Sequence, residues 1–470
     1  MQKTLHLFLL LAITAAARAQ DPAPWATYRG NNQRTANTDG KPGPAKPKIA
    51  WVWNSKDNFI ASPVPAGDKL LFSGLGGFNV GTLFCVNLKE KPAARWTKTT
   101  PYLSLPTVSA PARAGEKIVF GDGMHQTDGA TLHCVELDTG APIWRLPVPG
   151  TLVHLEGSPA ISAGKVFIGG GAAGVLCVDL EKVTLDGKSM ELADVRKIIA
   201  QRWKELQAEY EKEKKTNPDF AIPPSEDKLP RAAPVRHWQQ GKEKWHVDAP
   251  VTVAGDNVLV ATAFLDKEKV GDRALYCLDA KTGDIRWRAP LKYNPWGGAS
   301  VLKDRVIVTG STIGYYPGAI KGAKGFIACF DLKKGKEPLW LKDVPAGVVG
   351  CAALADDAAV VTATDGKVRA FNIADGERRW VHEEKIPFFA PPAVAAGTVY
   401  AGDWKGRLHA IDLKTGGSRW VLDIGADPAC KSPGMVYGGP IVDGGKIYMA
   451  TCNLEGPFAR QPTVVVCVGD

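Results

Sequence analysis

Apolar and polar positions alternate along short runs in this chain, and the runs recur in a set order. A unit opens on a small residue, a proline and a brief apolar stretch, as in Ser62-Pro63-Val64, Ala110-Pro111-Ala112, Ser158-Pro159-Ala160, Ala249-Pro250-Val251 and Gly439-Pro440-Ile441. A turn of Gly, Asp and Lys follows, then a β-branched run such as Lys165-Val166-Phe167-Ile168 or Arg305-Val306-Ile307-Val308. A Gly-containing loop leads to a third run, such as Leu83-Phe84-Cys85-Val86, and an Asp-x-x-x-Gly turn leads to a last run carrying a tryptophan. Period-two alternation between turn residues predicts antiparallel strands, four to a unit. In the turn Asp279 to Gly283 the Asp can accept from backbone amides two residues on, and the Gly tolerates positive φ.

Full copies end at Trp287 and Trp420, looser copies at Trp96, Trp144, Trp340 and Trp380, and Trp245 is read as closing one copy after a long insertion. The step between uninterrupted copies is roughly 40–53 residues, the period of four-stranded propeller blades. Third strands are counted around Cys85, Cys134, Cys177, Cys277, Cys329, Ala370, Ala410 and Cys467. The last of them has no fourth strand after it, while Lys48 to Trp53 reads as a fourth strand with nothing before it. The pattern therefore predicts an all-β fold: an eight-bladed β-propeller over residues 48–470, closed by pairing the N-terminal strand into the final blade, which leaves no free sheet edge at the seam.

Two segments break the repeat. Residues 181–240 form a helical and Pro-rich insertion in the third blade. Leu192, Val195, Ile199, Trp203, Leu206 and Tyr210 step by three or four and give one apolar helical face, with Ser189 as the expected N-cap. The expected reading is a helix packed on the rim by that face; the alternative is a docking surface for a partner. Residues 20–47 are expected to be an irregular lead-in lying against the ring.

Residues 1–19 have the form of a signal peptide: Lys3, an apolar run from Leu5 to Ile13, and the small-x-small site Ala17-Arg18-Ala19. Export to a periplasmic or extracellular location is expected, with no membrane span elsewhere. The formal net charge is +9, but no Lys/Arg run is dense enough to argue for nucleic acid. Six of the nine cysteines share one repeat position with Ala370 and Ala410, and equivalent positions in successive blades lie too far apart to bridge. They read as small buried thiols. Cys351 is expected to be buried as well, and Cys430 and Cys452 are the pair that could form a disulfide.

Candidate chemistry is sparse. His125, His154, His237 and His246 fall in separate blades or loops without metal-ligand spacing. His133 and His409 share a repeat position, which suggests a structural role. The run Gly169 to Gly174 leads into a strand and has no helix N-terminus to hold an anion. No catalytic, cofactor-binding or metal residue is assigned.

The units Val175 to Asp179, Leu275 to Trp287 and Arg407 to Trp420 resemble the quinoprotein-like (PQQ-like) propeller repeat, whose signature ends Ala-x-Asp-x-x-Thr-Gly-x-x-x-Trp, and Trp25 to Gly30 is similar to that family's lead-in. The resemblance implies eight blades with the tryptophans packed between them. It covers quinone-dependent dehydrogenases and non-catalytic propellers such as the outer-membrane assembly scaffold lipoprotein. The dehydrogenases typically carry a vicinal cysteine pair, which this chain lacks, and hold Ca²⁺ through Glu and Asn with an Asp as base. Glu156, Asn294, Asp248 and Asp403 are the candidates for those roles, and Trp404 for the quinone's floor; Asn294-Pro295-Trp296 is similar to a dehydrogenase stretch but stands in the wrong phase. The resemblance favours the scaffold kind: an exported, non-catalytic, protein-binding propeller without a cofactor, its unknown partner held through 181–240. One alternative is a PQQ-dependent dehydrogenase, with PQQ and calcium. Another is a carbohydrate- or polymer-binding propeller using Trp296, Tyr315, Tyr316 and Trp404 as stacking platforms.

Overall fold

The computed structural model describes residues 25–37, 40–88, 91–125, 127–313, 317–430, 434–456 and 458–470. The leader, residues 1–19, and the pair Tyr315-Tyr316 lie outside the described residues. Eight antiparallel sheets follow one another along the chain, seven of four strands and one, the third, enlarged by a hairpin. The first strand of every blade is short, such as Val64–Ala66, Ala160–Ser162 or Ala353–Ala355. Small residues suit it, because eight such strands crowd around one axis. The ring closes as expected: Lys48–Ser55 pairs antiparallel with Thr463–Gly469, from Lys48 opposite Gly469 to Ser55 opposite Thr463.

The register explains the tryptophan and cysteine columns. Cys85 lies opposite Trp96, Cys134 opposite Trp144, Cys277 opposite Trp287, Cys329 opposite Trp340, Ala370 opposite Trp380 and Ala410 opposite Trp420. At the seam Cys467 faces Trp51. A small residue beside each indole leaves room for it to lean onto the next blade. There its N–H finds a backbone carbonyl: Trp96 donates to Leu137, Trp287 to Leu332, Trp340 to Ile373 and Trp380 to Leu413, at 2.8–2.9 Å. The turn glycine of that next blade lies against the ring. Gly416 has φ +76°, and a Cβ there would sit 2.8 Å from Trp380 Cδ2, so the position needs glycine on both counts.

In the third blade the repeat tryptophan is Trp238, opposite Cys177, and not Trp245. Trp245 lies beyond the strand and packs on Tyr276 with ring centroids 4.1 Å apart. Without the intervening turn to count from, the sequence offered two tryptophans seven residues apart and no means of choosing.

All nine cysteines are free and buried. Cys430 and Cys452, the pair that could have formed a bridge, are both free; Cys430 packs among the residues of the closing blades and Cys452 in a separate cluster with Met435 and Phe389.

The insertion carries one helix, α1 (Leu192–Thr216). Its cap is Glu191 rather than Ser189, which lies in the strand Lys188–Met190. Leu192, Val195, Ile199 and Leu206 are buried against Ile143 and Trp144 of blade two, so the apolar face packs on the rim. The chain returns as Ala233–Gln240, the fourth strand of blade three. Among the described residues no helix is long and apolar enough to cross a membrane.

The lead-in does more than lie against the ring: it runs along the free inner edges of the first strands and fills the axis. Arg113 N donates to Ala26 O, Val253 N to Asn32 O, Val301 N to Gln33 O, Leu354 N to Thr35 O and Val394 N to Ala36 O, at 2.7–2.9 Å, one bond each to blades two, four, five, six and seven. Trp25 donates to Val442 O of blade eight, and Thr27 to Pro159 O of blade three. Arg34, 1% exposed, donates to the carbonyls of Tyr28, Ser158, Pro159 and Val251. Edges that would otherwise carry unpaired amides are thereby satisfied.

Candidate functional site

A cavity of about 460 Å³ opens at the axis. Tyr28 of the lead-in lines it, with Pro250, Gly350, Pro391 and Gly438 from the entries to inner strands. On one side it is lined by His125, Glu156, Asp248 and Trp296.

That side is built by the links into blades three and four. His154-Leu155-Glu156 precedes Ser158-Pro159, and His246-Val247-Asp248 precedes Ala249-Pro250. In each, the middle residue is tied to neighbouring backbone: Leu155 N donates to Asp122 O at 3.0 Å, and Gly171 and Val247 exchange both backbone bonds at 3.0 and 3.1 Å. In extended chain, residues two apart face the same way, so each histidine and its acid point to one side. His125 comes from the loop between Lys117–Gly121 and Ala130–Glu136 of blade two.

The three imidazoles meet. His154 and His246 are fully buried, with ring centroids 5.2 Å apart, and the His125 ring lies 5.7 Å from His154 and 6.0 Å from His246. Asp248 Oδ1 is 2.9 Å from His246 Nε2 and 3.5 Å from His154 Nε2, and Glu156 Oε1 is 3.6 Å from His154 Nδ1. One ligand-capable atom from each of His125, His154, His246 and Asp248 lies within 4.8 Å of all the others. The Gly-rich turn has a spatial role here. A Cβ on Gly171, at φ +56°, would come 2.9 Å from His154 Nε2.

Burial pulls the His154 pKa down to about 4, which leaves the imidazole neutral near pH 7. Burial, with the Asp248 charge beside it, pushes Glu156 up to about 8. Burial also pushes on Asp248, but His246, His154 and His125 outweigh it and hold that carboxyl below its ordinary value.

The structure thus corrects the expectation of scattered histidines. His125, His154 and His246 come from separate segments, yet consecutive blades deliver them to one side of the axis; His237 stays apart on Asp179 at 3.1 Å. The signal present in the sequence was His-x-acid ahead of the small-Pro step in two successive units. His133 and His409 each meet a turn carboxylate through Nε2, Asp122 at 2.8 Å and Asp403 at 3.0 Å, and His409 also lies near His382 and Glu384.

Of the four candidate calcium ligands, only Glu156 and Asp248 reach the cavity. Asn294 is engaged by the backbone of Phe264 and by Arg273, and Asp403 by Lys405 N, Arg407 and His409. Calcium takes six to eight oxygens; a set dominated by imidazole does not fit a calcium-held quinone. Trp404 packs edge-on to Phe389 instead of flooring the cavity, while Trp296 does line it.

A family model described as outer membrane protein assembly factor BamB matches residues 45–195, 235–317 and 297–463. BamB of Nitrosomonas eutropha is 29% identical over 32% of this chain and 34% of its own. The matched stretches span about a third to a half of the length of such curated relatives. Among solved structures, BamB from Moraxella catarrhalis superposes with a TM-score of 0.58 at 14% identity, over 90% of this chain and 98% of that one. A europium-containing methanol dehydrogenase superposes with a TM-score of 0.61 at 13% identity, over 96% and 99%. At such identities both show the shared propeller fold, which therefore does not separate scaffold from dehydrogenase.

Proposed function

The chain belongs to the family described as outer membrane protein assembly factor BamB, and on that premise we propose that it is an exported propeller that holds other proteins and has no catalysis of its own. The observation that carries this reading is the insertion. One face of α1 is anchored on blade two, and Lys98 holds Glu226 at 2.6 Å, so the arm is positioned before any partner arrives. Beyond the helix, Phe220 and Ile222 are 72% and 71% exposed, and Ile198 on the helix is also exposed. Large apolar side chains left in water on a pre-positioned arm suit burial by a partner, and preorganisation lowers the ordering cost of binding. The dehydrogenase alternative is disfavoured by the imidazole-rich donor set at the axis.

The test is site-specific photocrosslinking from positions 220 and 222 of the full chain in its own cells. Both positions should capture one and the same protein. That protein, purified, should bind the wild type and lose at least about tenfold in affinity to Phe220→Asp/Ile222→Asp, about 1.4 kcal/mol of contact, with melting unchanged. Silence at both positions, or unchanged binding by the double variant, would contradict the reading.

A further inference from the structure

We propose that His125, His154, His246 and Asp248 form a binding site for a zinc-class divalent transition ion at the propeller axis, a property independent of the docking reading.

The alternative for any buried His–Asp group is a structural hydrogen bond, and this chain shows what its own structural pairs look like. In the His133–Asp122 and His409–Asp403 pairs one imidazole N–H meets one carboxylate oxygen, and the other oxygen accepts a backbone amide: Thr131 N on Asp122, Lys405 N and Arg407 N on Asp403. The axial group differs in the number of rings that meet; an unbonded Nδ1 is not distinctive, since His133 and His409 each have one too. Three imidazoles gather about Asp248, with Glu156 at the edge of the group. Both ring nitrogens of His154, both of His246, and Asp248 Oδ1 are buried without a well-formed hydrogen bond, although His246 Nε2 approaches Asp248 Oδ1 to 2.9 Å. Leaving a buried polar atom unpaired is costly, and the atoms that approach one another, Nε2 of His154, Nε2 of His246 and Asp248 Oδ1, would be satisfied together by a cation that takes their lone pairs.

The spacing suits an ion. Bonds of about 2.0–2.1 Å in a tetrahedron put ligand atoms about 3.4 Å apart; Asp248 Oδ1 lies 2.9 and 3.5 Å from the two Nε2 atoms, and the whole set is inside 4.8 Å. Small rotations of His125, whose ring is half-exposed at the cavity, would complete the shell. Three imidazole nitrogens and one carboxylate oxygen select zinc, nickel, copper or cobalt over calcium and magnesium. The surroundings match as well. With His154 Nε2 turned toward Asp248, its Nδ1 faces Glu156 Oε1 at 3.6 Å, beyond hydrogen-bond reach as it stands but close enough for Glu156 to orient the ring once an ion is bound. Gly171 leaves the space that the ring needs. Because His125 and Asp248 also line the cavity, the ion would face it, and a small anionic or nitrogen ligand could reach the metal from there.

The test uses the full, tag-free protein stripped with chelator and titrated calorimetrically with Zn²⁺, Co²⁺ and Ca²⁺. One equivalent of Zn²⁺ should bind with Kd below about 1 µM, and Ca²⁺ should not compete. Co²⁺ should give visible d–d bands that Zn²⁺ bleaches. His125→Ala and the near-isosteric Asp248→Asn should each weaken Zn²⁺ at least about tenfold while melting of the metal-free protein stays close to wild type; His237→Ala, far from the axis, should change nothing. Sub-stoichiometric Zn²⁺ uptake would overturn the proposal, and so would binding that survives His125→Ala and Asp248→Asn, or that is lost with His237→Ala.

Discussion

At the scale of single residues, the repeat tryptophans are seams between blades. Trp287 is buried and donates across to Leu332, so Trp287→Ala should cost about 3–5 kcal/mol; Trp420 is only half-buried and donates to Pro44 of the lead-in, so Trp420→Ala should cost less. Cys277→Ala should cost at most ~1–2 kcal/mol, since alanine already serves opposite Trp380 and Trp420. Denaturant titrations of the three variants check the order. The turn aspartates contribute to the acid limb. Asp412 is held at about 2 by the Arg419 guanidinium and the Thr415 amide. Its folded pKa lies below its unfolded one, so its contribution is complete above about pH 4 and is lost as pH falls toward 2. Asp412→Asn should therefore flatten the fall of melting temperature across that window and leave the curve above pH 5 parallel to wild type; a loss equal at pH 3 and pH 7 would contradict this. The columns of Trp, Cys, Asp and Gly were legible because each recurs where the backbone does the same thing. The His125–His154–His246 group was not, because its members are brought together by blade geometry and not by spacing along one element.

At the scale of elements, α1 was legible as an apolar stripe and its packing on the rim follows from that stripe. Its start was misplaced at Ser189 because a hairpin, Lys188–Met190 against Val183–Leu185, extends the blade before the helix begins. The exit was misplaced at Trp245 for want of a turn to count from. Val195, on the inward face of α1, is fully buried. Val195→Asp should loosen the arm without opening the ring, since a charge placed there without a partner must be hydrated. Limited proteolysis should then cut between residues 186 and 232 faster than in wild type, while fragments from the other blades remain protected. Cleavage spread evenly over the blades would show instead that the arm is part of the ring's cooperative unit.

At the scale of the whole molecule, closure by Lys48–Ser55 and the filling of the axis by residues 25–36 make the N-terminal region the one segment that touches almost every blade. Removing residues 20–55 should abolish cooperative unfolding, because the last blade loses its fourth strand and the inner edges lose their partners; unchanged melting would sink the closure. The seam was readable from an unpaired strand at each end. The axial course of the lead-in was not, because its bonds run through backbone amides that carry no side-chain signal. The proposed scaffold role requires that this PQQ-like repeat propeller bind no quinone. Calorimetric titration of the full protein with pyrroloquinoline quinone in excess Ca²⁺, followed by a dye-linked assay with alcohols and aldoses, tests it most directly. No saturable heat and no turnover are predicted; tight, stoichiometric quinone binding, with or without turnover, would contradict it.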